Sequence, residues 1–229
     1  MGKTTIIFSV DIEAAGPIPG PSWMCSFGIC RTDDVTIGLK KELKPLVIPG
    51  LSRPDSPEAM KVVAAGLPSV TWDSVLSPEE NTATVRRHFE EHGEDPKETL
   101  LDLKRFIAEQ VGENRAVIVG SPVTFDFMWL YWYWWHLLEE MPDFGFSGLD
   151  MRSYFMGMHG VGFLGTGKAR YLKHYPNEFS HTHDPLDDAQ QQGAIWRDMT
   201  AARKEQKADE RKRLAAERER KNNEPKGGL

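Results

Sequence analysis

Two short runs of apolar and β-branched residues constrain this chain most: Thr4–Val10 (TTIIFSV) and Ala116–Gly120 (AVIVG). Neither alternates polar with apolar residues along its length, so both faces of such strands need cover. Strands covered on both faces sit inside a sheet flanked by helices. Trp23–Cys30 (WMCSFGIC) reads as a second strand, and Val35–Leu43 returns as a third after the turn Thr32-Asp33-Asp34. Pro96–Val111 carries Leu100, Leu103, Ile107 and Val111 at helical spacing. Phe125–Leu138 reads as an aromatic-rich helix, Phe146–Asp150 as a short fifth strand and Asp184–Met199 as the last core helix. Strands followed by a strand–helix–strand–helix run predict an α/β domain built on a mixed sheet.

A chain of 229 residues suits one such domain with appendages. The expected division is a domain over 1–199 and a charged tail over 200–229, helical or disordered. Between 45 and 96 prolines and polar residues are frequent, and only Ser56–Ala65 reads as a helix, with Ser56 as N-cap and Pro57 after it. Two cysteines, Cys25 and Cys30, make a disulfide framework improbable. No leader pattern and no apolar run of about 18 residues is present, so a cytoplasmic protein without a membrane span is expected. Net charge is −6, unevenly spread. The tail holds 10 basic and 6 acidic side chains (net +4), leaving 18 basic and 28 acidic in the body (net −10). So acidic a body binds nucleic acid poorly by charge alone, because such binding rests on Lys and Arg neutralising phosphates. If it handles nucleic acid, bound cations must help.

Three segments carry candidate chemistry. In Val10-Asp11-Ile12-Glu13, residues two apart share a face of the strand, so Asp11 and Glu13 sit together at the C-terminal end of a buried strand. Open α/β sheets bind ligands at that end, although a plain solvated strand end also fits. In Thr124-Phe125-Asp126-Phe127 an acid lies among aromatics, either as a helix N-cap or as a buried carboxylate needing a cation or hydrogen bonds to stay ionised. In His181-Thr-His183-Asp-Pro-Leu-Asp-Asp188, Asp184 suits an N-cap and Asp187 the helix dipole. His183 and Asp188 are left without a structural task, and His181 reads as a loop histidine. If the helices start where the strands end, Asp11, Glu13, Asp126 and Asp188 converge. Four carboxylates in one pocket need counter-charge, which hard divalent cations with oxygen ligands supply: Mg²⁺, with Mn²⁺ as substitute. Two such ions can clamp the attacking and leaving oxygens of a phosphoryl group, while a nearby histidine takes the proton of the attacking water.

The order Asp-x-Glu, Phe-Asp, His-x-x-x-x-Asp-Ala, here Asp11-Ile-Glu13, Phe125-Asp126 and His183-Asp-Pro-Leu-Asp-Asp188-Ala189, resembles the DEDDh (DnaQ-like) 3′–5′ exonucleases. The resemblance covers roughly residues 4–199. It implies an RNase H-like mixed five-stranded sheet flanked by helices, with the second strand antiparallel. It further implies that Asp11, Glu13, Asp126 and Asp188 hold two metal ions and that His183 is the general base. The expected reaction is hydrolysis of single-stranded RNA or DNA from 3′ ends to nucleoside 5′-monophosphates. The alternative is a catalytically inactive nucleic-acid- or protein-binding module on the same fold. Lack of an evident polymerase-tethering module leans the substrate towards RNA or short oligonucleotides.

The chain departs from the family pattern at Ala14-Ala15-Gly16, where hydroxyls often stand, and at Ser121-Pro122, where His-Asn is frequent. The 45–96 segment also exceeds what a minimal member needs, which suits a specificity or dimerisation insert. The aromatics of 125–138 are expected to serve core or homodimer packing, with Phe127 the exception nearest the metals. The glycines between Met156 and Arg170, followed by Lys168 and Arg170, suit either a flap gripping a phosphate or a plain loop. Asp150 and Arg152 suit a structural pair.

Overall fold

The computed structural model describes residues 4–223; of the charged tail, residues 224–229 lie outside that range. Five strands, β1 (Thr5–Ala14), β2 (Met24–Arg31), β3 (Gly38–Glu42), β4 (Arg115–Gly120) and β5 (Leu149–Asp150), form one sheet in the order β3-β2-β1-β4-β5. β2 lies antiparallel to both β1 and β3, while β4 runs parallel to β1 and β5. The mixed five-stranded sheet with an antiparallel second strand is the expected one. Central placement of β1 and β4 follows from their apolar character.

Helices cover both faces. On one side α3 (Pro96–Val111) and α4 (Val123–Leu138) bury Leu100, Leu103, Ile107, Trp129, Leu130, Tyr133 and Trp134 against Phe8, Val10 and Ile12 of β1 and Phe27 and Ile29 of β2. On the other lie α5 (Met151–His159), α6 (Lys168–His174) and α7 (Pro185–Asn223), whose Phe155, Tyr171, Ile195, Trp196 and Met199 pack with Val119 and Ile7. Strand alternation thus sends Phe8, Val10 and Ile12 into the α3/α4 core and leaves Ile7, Ser9, Asp11 and Glu13 on the opposite face.

Several predicted bounds move. β3 starts at Gly38 because Asp34 closes a turn on the backbone and hydroxyl of Thr36. The predicted Phe146–Asp150 strand shrinks to Leu149–Asp150. α4 starts at Val123, so Asp126 lies inside its first turns and is no N-cap. The last core helix continues unbroken past residue 200 to Asn223, its exposed part carrying the charged tail. Among the described residues no helix is long and apolar enough to cross a membrane, and both cysteines are free and buried.

The 45–96 segment is more ordered than its composition predicts. α1 (Pro57–Ala65) is the expected helix, capped by Ser56. A second helix, α2 (Pro78–His92), starts at a full capping box between Ser77 and Glu80. It shows only Asn81, Val85 and Phe89 to the interior, too sparse a stripe to stand out in the sequence. Together they build a small second core with Trp23, Cys25, Met60 and Val63. Asp55 ties that core down, accepting from Trp23 Nε1 at 2.8 Å and from Arg86 at 2.9 Å.

Two glycines allow the start of α7 to press onto this framework. A Cβ on Gly28 of β2 would stand 2.1 Å from the carbonyl oxygen of Pro185, and one on Gly66, just past α1, 1.9 Å from that of His183. Both are backbone contacts with no side chain to yield. Gly28→Ala therefore forces α7 off the sheet. The expected loss is about 1–3 kcal/mol, seen as a lower urea midpoint with an unchanged m value.

Candidate active site

β1 outruns β4, whose last pairing is Ser9 with Val119. The backbone N–H of Ile12, beyond that end, donates instead to Asp126 Oδ1 at 3.2 Å, which brings α4's carboxylate to the strand's C-terminal tip. A register irregularity between Glu13 and Ala14 bends β1 away from β2. The freed N–H of Met24 donates to Tyr133 Oη at 2.7 Å. One task of the aromatic helix is thus to close the backbone ladder beside the acids.

Asp188 arrives from α7's first turns. Its Oδ1 accepts from the backbone N–H of Thr182 at 3.1 Å. Asp184 caps the helix by accepting from Leu186 N at 2.9 Å, and Lys40 Nζ on β3 holds that cap at 2.7 Å. His183 stands just before the cap with φ of 62°, a left-handed backbone that a non-glycine residue adopts at some cost. Its carbonyl rests against Gly66, so the insert supports the histidine loop.

Of the sequence-predicted residues, Asp11, Glu13 and Asp188 present carboxylate oxygens within 4.8 Å of one another. His183 Nδ1 lies 3.8 Å from Glu13 Oε1. Asp126 adjoins Asp11 but keeps one oxygen on Ile12 N and stands outside that close group. All four acids are poorly exposed or polar-bound: Glu13 is 9%, Asp126 5% and Asp188 1% exposed, and Asp11 accepts from Gln192 Nε2 at 2.9 Å.

Burial, reinforced by the charge of Asp188, pushes Asp11 up to about 7. Burial and the charge of Asp11 push Glu13 up to about 9, and burial holds Asp126 well above the usual carboxylate range. Burial and then His181 lower His183, keeping its imidazole neutral near pH 7. Buried acids crowded together without a sufficient counter-charge, offering carboxylate oxygens, fit hard divalent cations.

Two further residues join the site, His181 and Lys168, the latter singled out in the sequence only within a candidate phosphate-gripping flap. His181, read as a loop histidine, faces His183 at 4.3 Å between ring centroids and sets Nδ1 against Asp188 Oδ2 and 2.7 Å from Lys168 Nζ. One nitrogen cannot both accept from the ammonium and donate to the carboxylate, so these contacts compete. Lys168 stands 4.0 Å from Asp188, and burial lowers its pKa against the pull of Asp188, Asp11 and Glu13. The glycine-rich segment before it is an exposed connection: α5 ends at His159, a short 3₁₀ turn spans Phe163–Gly165, and α6 begins at Lys168.

Two expectations fail. Asp150 does not pair with Arg152; it caps α5 through Ser153 N and accepts from Val123 N, while Arg152 Nε donates to Thr166 Oγ1 at 3.0 Å. Phe127 faces away from the acids, sharing an outer groove with Trp132, Trp135 and Phe146. Phe125, two residues earlier, borders Glu13 instead, in a groove of about 520 Å³ with Ala14, Gly16, Ser56 and Val62.

No protein-family model matches the chain. It is 28% identical over 205 residues to the 3′–5′ DNA exonuclease Cap18 of Escherichia coli, covering 89% of this chain and 96% of that protein. Among solved structures it resembles the nuclease domain of 3′hExo, a DEDDh family member bound to rAMP (TM-score 0.61, 12% identity, 86% of this chain and 92% of that one). It also resembles E. coli Exonuclease I in complex with a dT13 oligonucleotide (TM-score 0.56, 14% identity, 86% and 41%). At these identities the two structures speak for the fold.

The raised carboxylates set a pH dependence. Their folded-state pKa values exceed the ordinary 3.8 and 4.5, so the stability they contribute is full below about pH 4 and is lost as pH rises through about 7 for Asp11 and 9 for Glu13. The metal-free protein is expected to show a falling Tm between pH 5 and 9. Added Mg²⁺ should offset that fall increasingly at higher pH. Asp11→Asn should raise the metal-free Tm at pH 8 and blunt the Mg²⁺ effect, both read by calorimetry.

Proposed function

We infer that this chain is a 3′–5′ exonuclease of the DEDDh kind, a reading supported by its motif order, its fold and its similarity to a 3′–5′ exonuclease, and that it removes nucleotides from single-stranded 3′ ends and releases nucleoside 5′-monophosphates. The observation that carries this reading is the meeting of Asp11, Glu13 and Asp188 within 4.8 Å beside His183. Asp11, Glu13, Asp126 and Asp188 would hold two Mg²⁺ ions, replaceable by Mn²⁺, and ions bound there lower the pKa of water and offset phosphoryl charge.

The protein's own part follows from the geometry. His183, neutral and set at the edge of the acids, takes the proton of the attacking water. The water oxygen bonds to phosphorus, the bond to the 3′-oxygen breaks, and that oxygen leaves as an alkoxide that takes a proton from solvent water to become the new 3′-hydroxyl. Asp126 is anchored through Oδ1 on Ile12 N at 3.2 Å, which fixes its carboxylate beside the strand that carries Asp11 and Glu13. The groove with Phe125 and Ser56 receives the terminal nucleoside, the ring offering a stacking face. With Ala14 and Ala15 in place of hydroxyls, end recognition there falls to backbone groups and Ser56.

We favour DNA over RNA as substrate, because the relative similar over nearly its full length is a DNA exonuclease by name; this reverses the leaning drawn from the sequence. A cytoplasmic setting accords with two buried, free thiols. Self-association belongs on the outer face of α4, where Trp135 is 55% exposed, and on the adjoining connection to β5, where Phe146 is 77% exposed.

The test is a time course on 5′-labelled single-stranded DNA and RNA of one sequence, with Mg²⁺, Mn²⁺ or EDTA. Expected is a metal-dependent ladder shortening from the 3′ end, faster on DNA. Asp11→Ala and His183→Ala should each slow it at least about 100-fold. Intact substrate under every metal condition, with the protein folded, would instead support the non-catalytic binding module.

A further inference from the structure

Two concavities flank the acids, and they differ in chemistry. The one beside Glu13 holds Phe125 and Val62 and has no Lys or Arg in its wall. The other, about 320 Å³, opens beside Asp11 and is walled by Arg152 and Lys168, with the hydroxyl-bearing Ser121, Thr166 and Tyr171. In a body with a net charge of −10, cations gathered at one wall of the acidic site call for a reason.

Lys168 has one, the neighbouring Asp188. Arg152 has none. Its Nε is held by Thr166 Oγ1 at 3.0 Å, which is itself fixed by donating to Phe163 O at 2.6 Å. The guanidinium lies 4.3 Å over the Phe163 ring. Among the described residues Arg152 takes part in no ion pair with a carboxylate. It is a half-buried charge, oriented by a hydroxyl and an aromatic face, with its remaining N–H groups free for a ligand. A planar guanidinium so held matches a phosphate oxygen pair.

We propose that the cavity of Arg152 and Lys168 is an anion subsite for the phosphodiester one nucleotide upstream of the scissile bond, with Arg152 its positioning residue. This rests on the exonuclease reading above. A strand whose terminal nucleoside lies in the apolar groove and whose scissile phosphate lies over the acids must continue past Asp11 on the opposite side. The next phosphate then meets Arg152. The glycine-rich segment between α5 and α6 thereby serves to carry a phosphate-gripping wall.

A cycle of one protein change and one substrate change tests it. The substrate is an oligonucleotide whose penultimate linkage is an uncharged methylphosphonate, compared with its natural counterpart. For the wild type the methylphosphonate should raise KM about tenfold, with kcat changed far less. Arg152→Gln should raise KM on the natural strand by a similar factor. The two changes together should cost no more than either alone, since they remove one contact, and Arg152→Lys should recover part of the loss. Inhibition by a nucleoside 5′-monophosphate, which lacks the upstream phosphate, should change little in Arg152→Gln.

Multiplying effects would overturn the proposal, as would an Arg152→Gln variant with unaltered KM. Equal loss of nucleoside monophosphate inhibition would move Arg152 to the scissile phosphate and overturn it too. If Arg152→Gln does not fold, Arg152→Lys carries the same cycle. Absence of wild-type cleavage of the natural strand sinks the exonuclease reading and this proposal together, whereas cleavage without the non-additive pattern sinks this proposal alone.

Discussion

Holding four carboxylates out of water at the tip of one strand is the constraint on which the rest depends. Water would screen such charges, but burial forbids that, and each acid makes its neighbour harder to ionise. The fold answers with fixed polar contacts: Ile12 N–H on Asp126, Gln192 on Asp11 and Thr182 N–H on Asp188. What these leave uncompensated is negative charge, and a divalent cation compensates it better than the single ammonium of Lys168. An ion held there, as proposed, would stabilise the site, and the packing around it bears the cost of burying the acids.

That packing is tight where the acids meet. α7 must deliver Asp188 and His183 to β1, so its first turn lies on the backbone of β2 at Gly28 and of α1's end at Gly66. The insert between β3 and α3 then has a role beyond covering the sheet. It carries Gly66, whose missing side chain lets the His183 loop sit low enough to reach Glu13, and it supplies Ser56 to the groove beside Phe125. Its own small core and the Asp55 contacts to Trp23 and Arg86 hold it in place.

Charge is sorted across the acids. Apolar wall lies on the Glu13 side and cations on the Asp11 side, so a strand bound as proposed would meet base-compatible surface at one end and phosphate-compatible surface at the other. The body's overall acidity weakens nonspecific attraction for nucleic acid, which leaves orientation to these few local groups. The aromatic helix α4 divides its side chains likewise: Trp129, Tyr133 and Trp134 fill the core, Tyr133 also completes the strand ladder, and Trp135 remains outside.

The sequence alone determined what depends on local pattern. Continuous apolar runs marked β1 and β4 as central strands, the spacing of Leu100, Leu103, Ile107 and Val111 marked α3, and the order of acids and His183 marked the candidate site. Pattern was too faint for α2, whose three inward residues are diluted by charge, although its capping box was readable at Ser77 and Glu80. Bounds set by turns or neighbours, such as the start of β3 and the length of β5, also escaped it. Only the tertiary structure decided that His181 and Lys168 join the acids, that Phe125 rather than Phe127 borders them, and that Arg152 faces them without a carboxylate partner. These are facts of approach between elements far apart in the chain. Local sequence records which side chains a segment carries, whereas the packing of α5, α6 and α7 on the sheet decides which of them point into the same space.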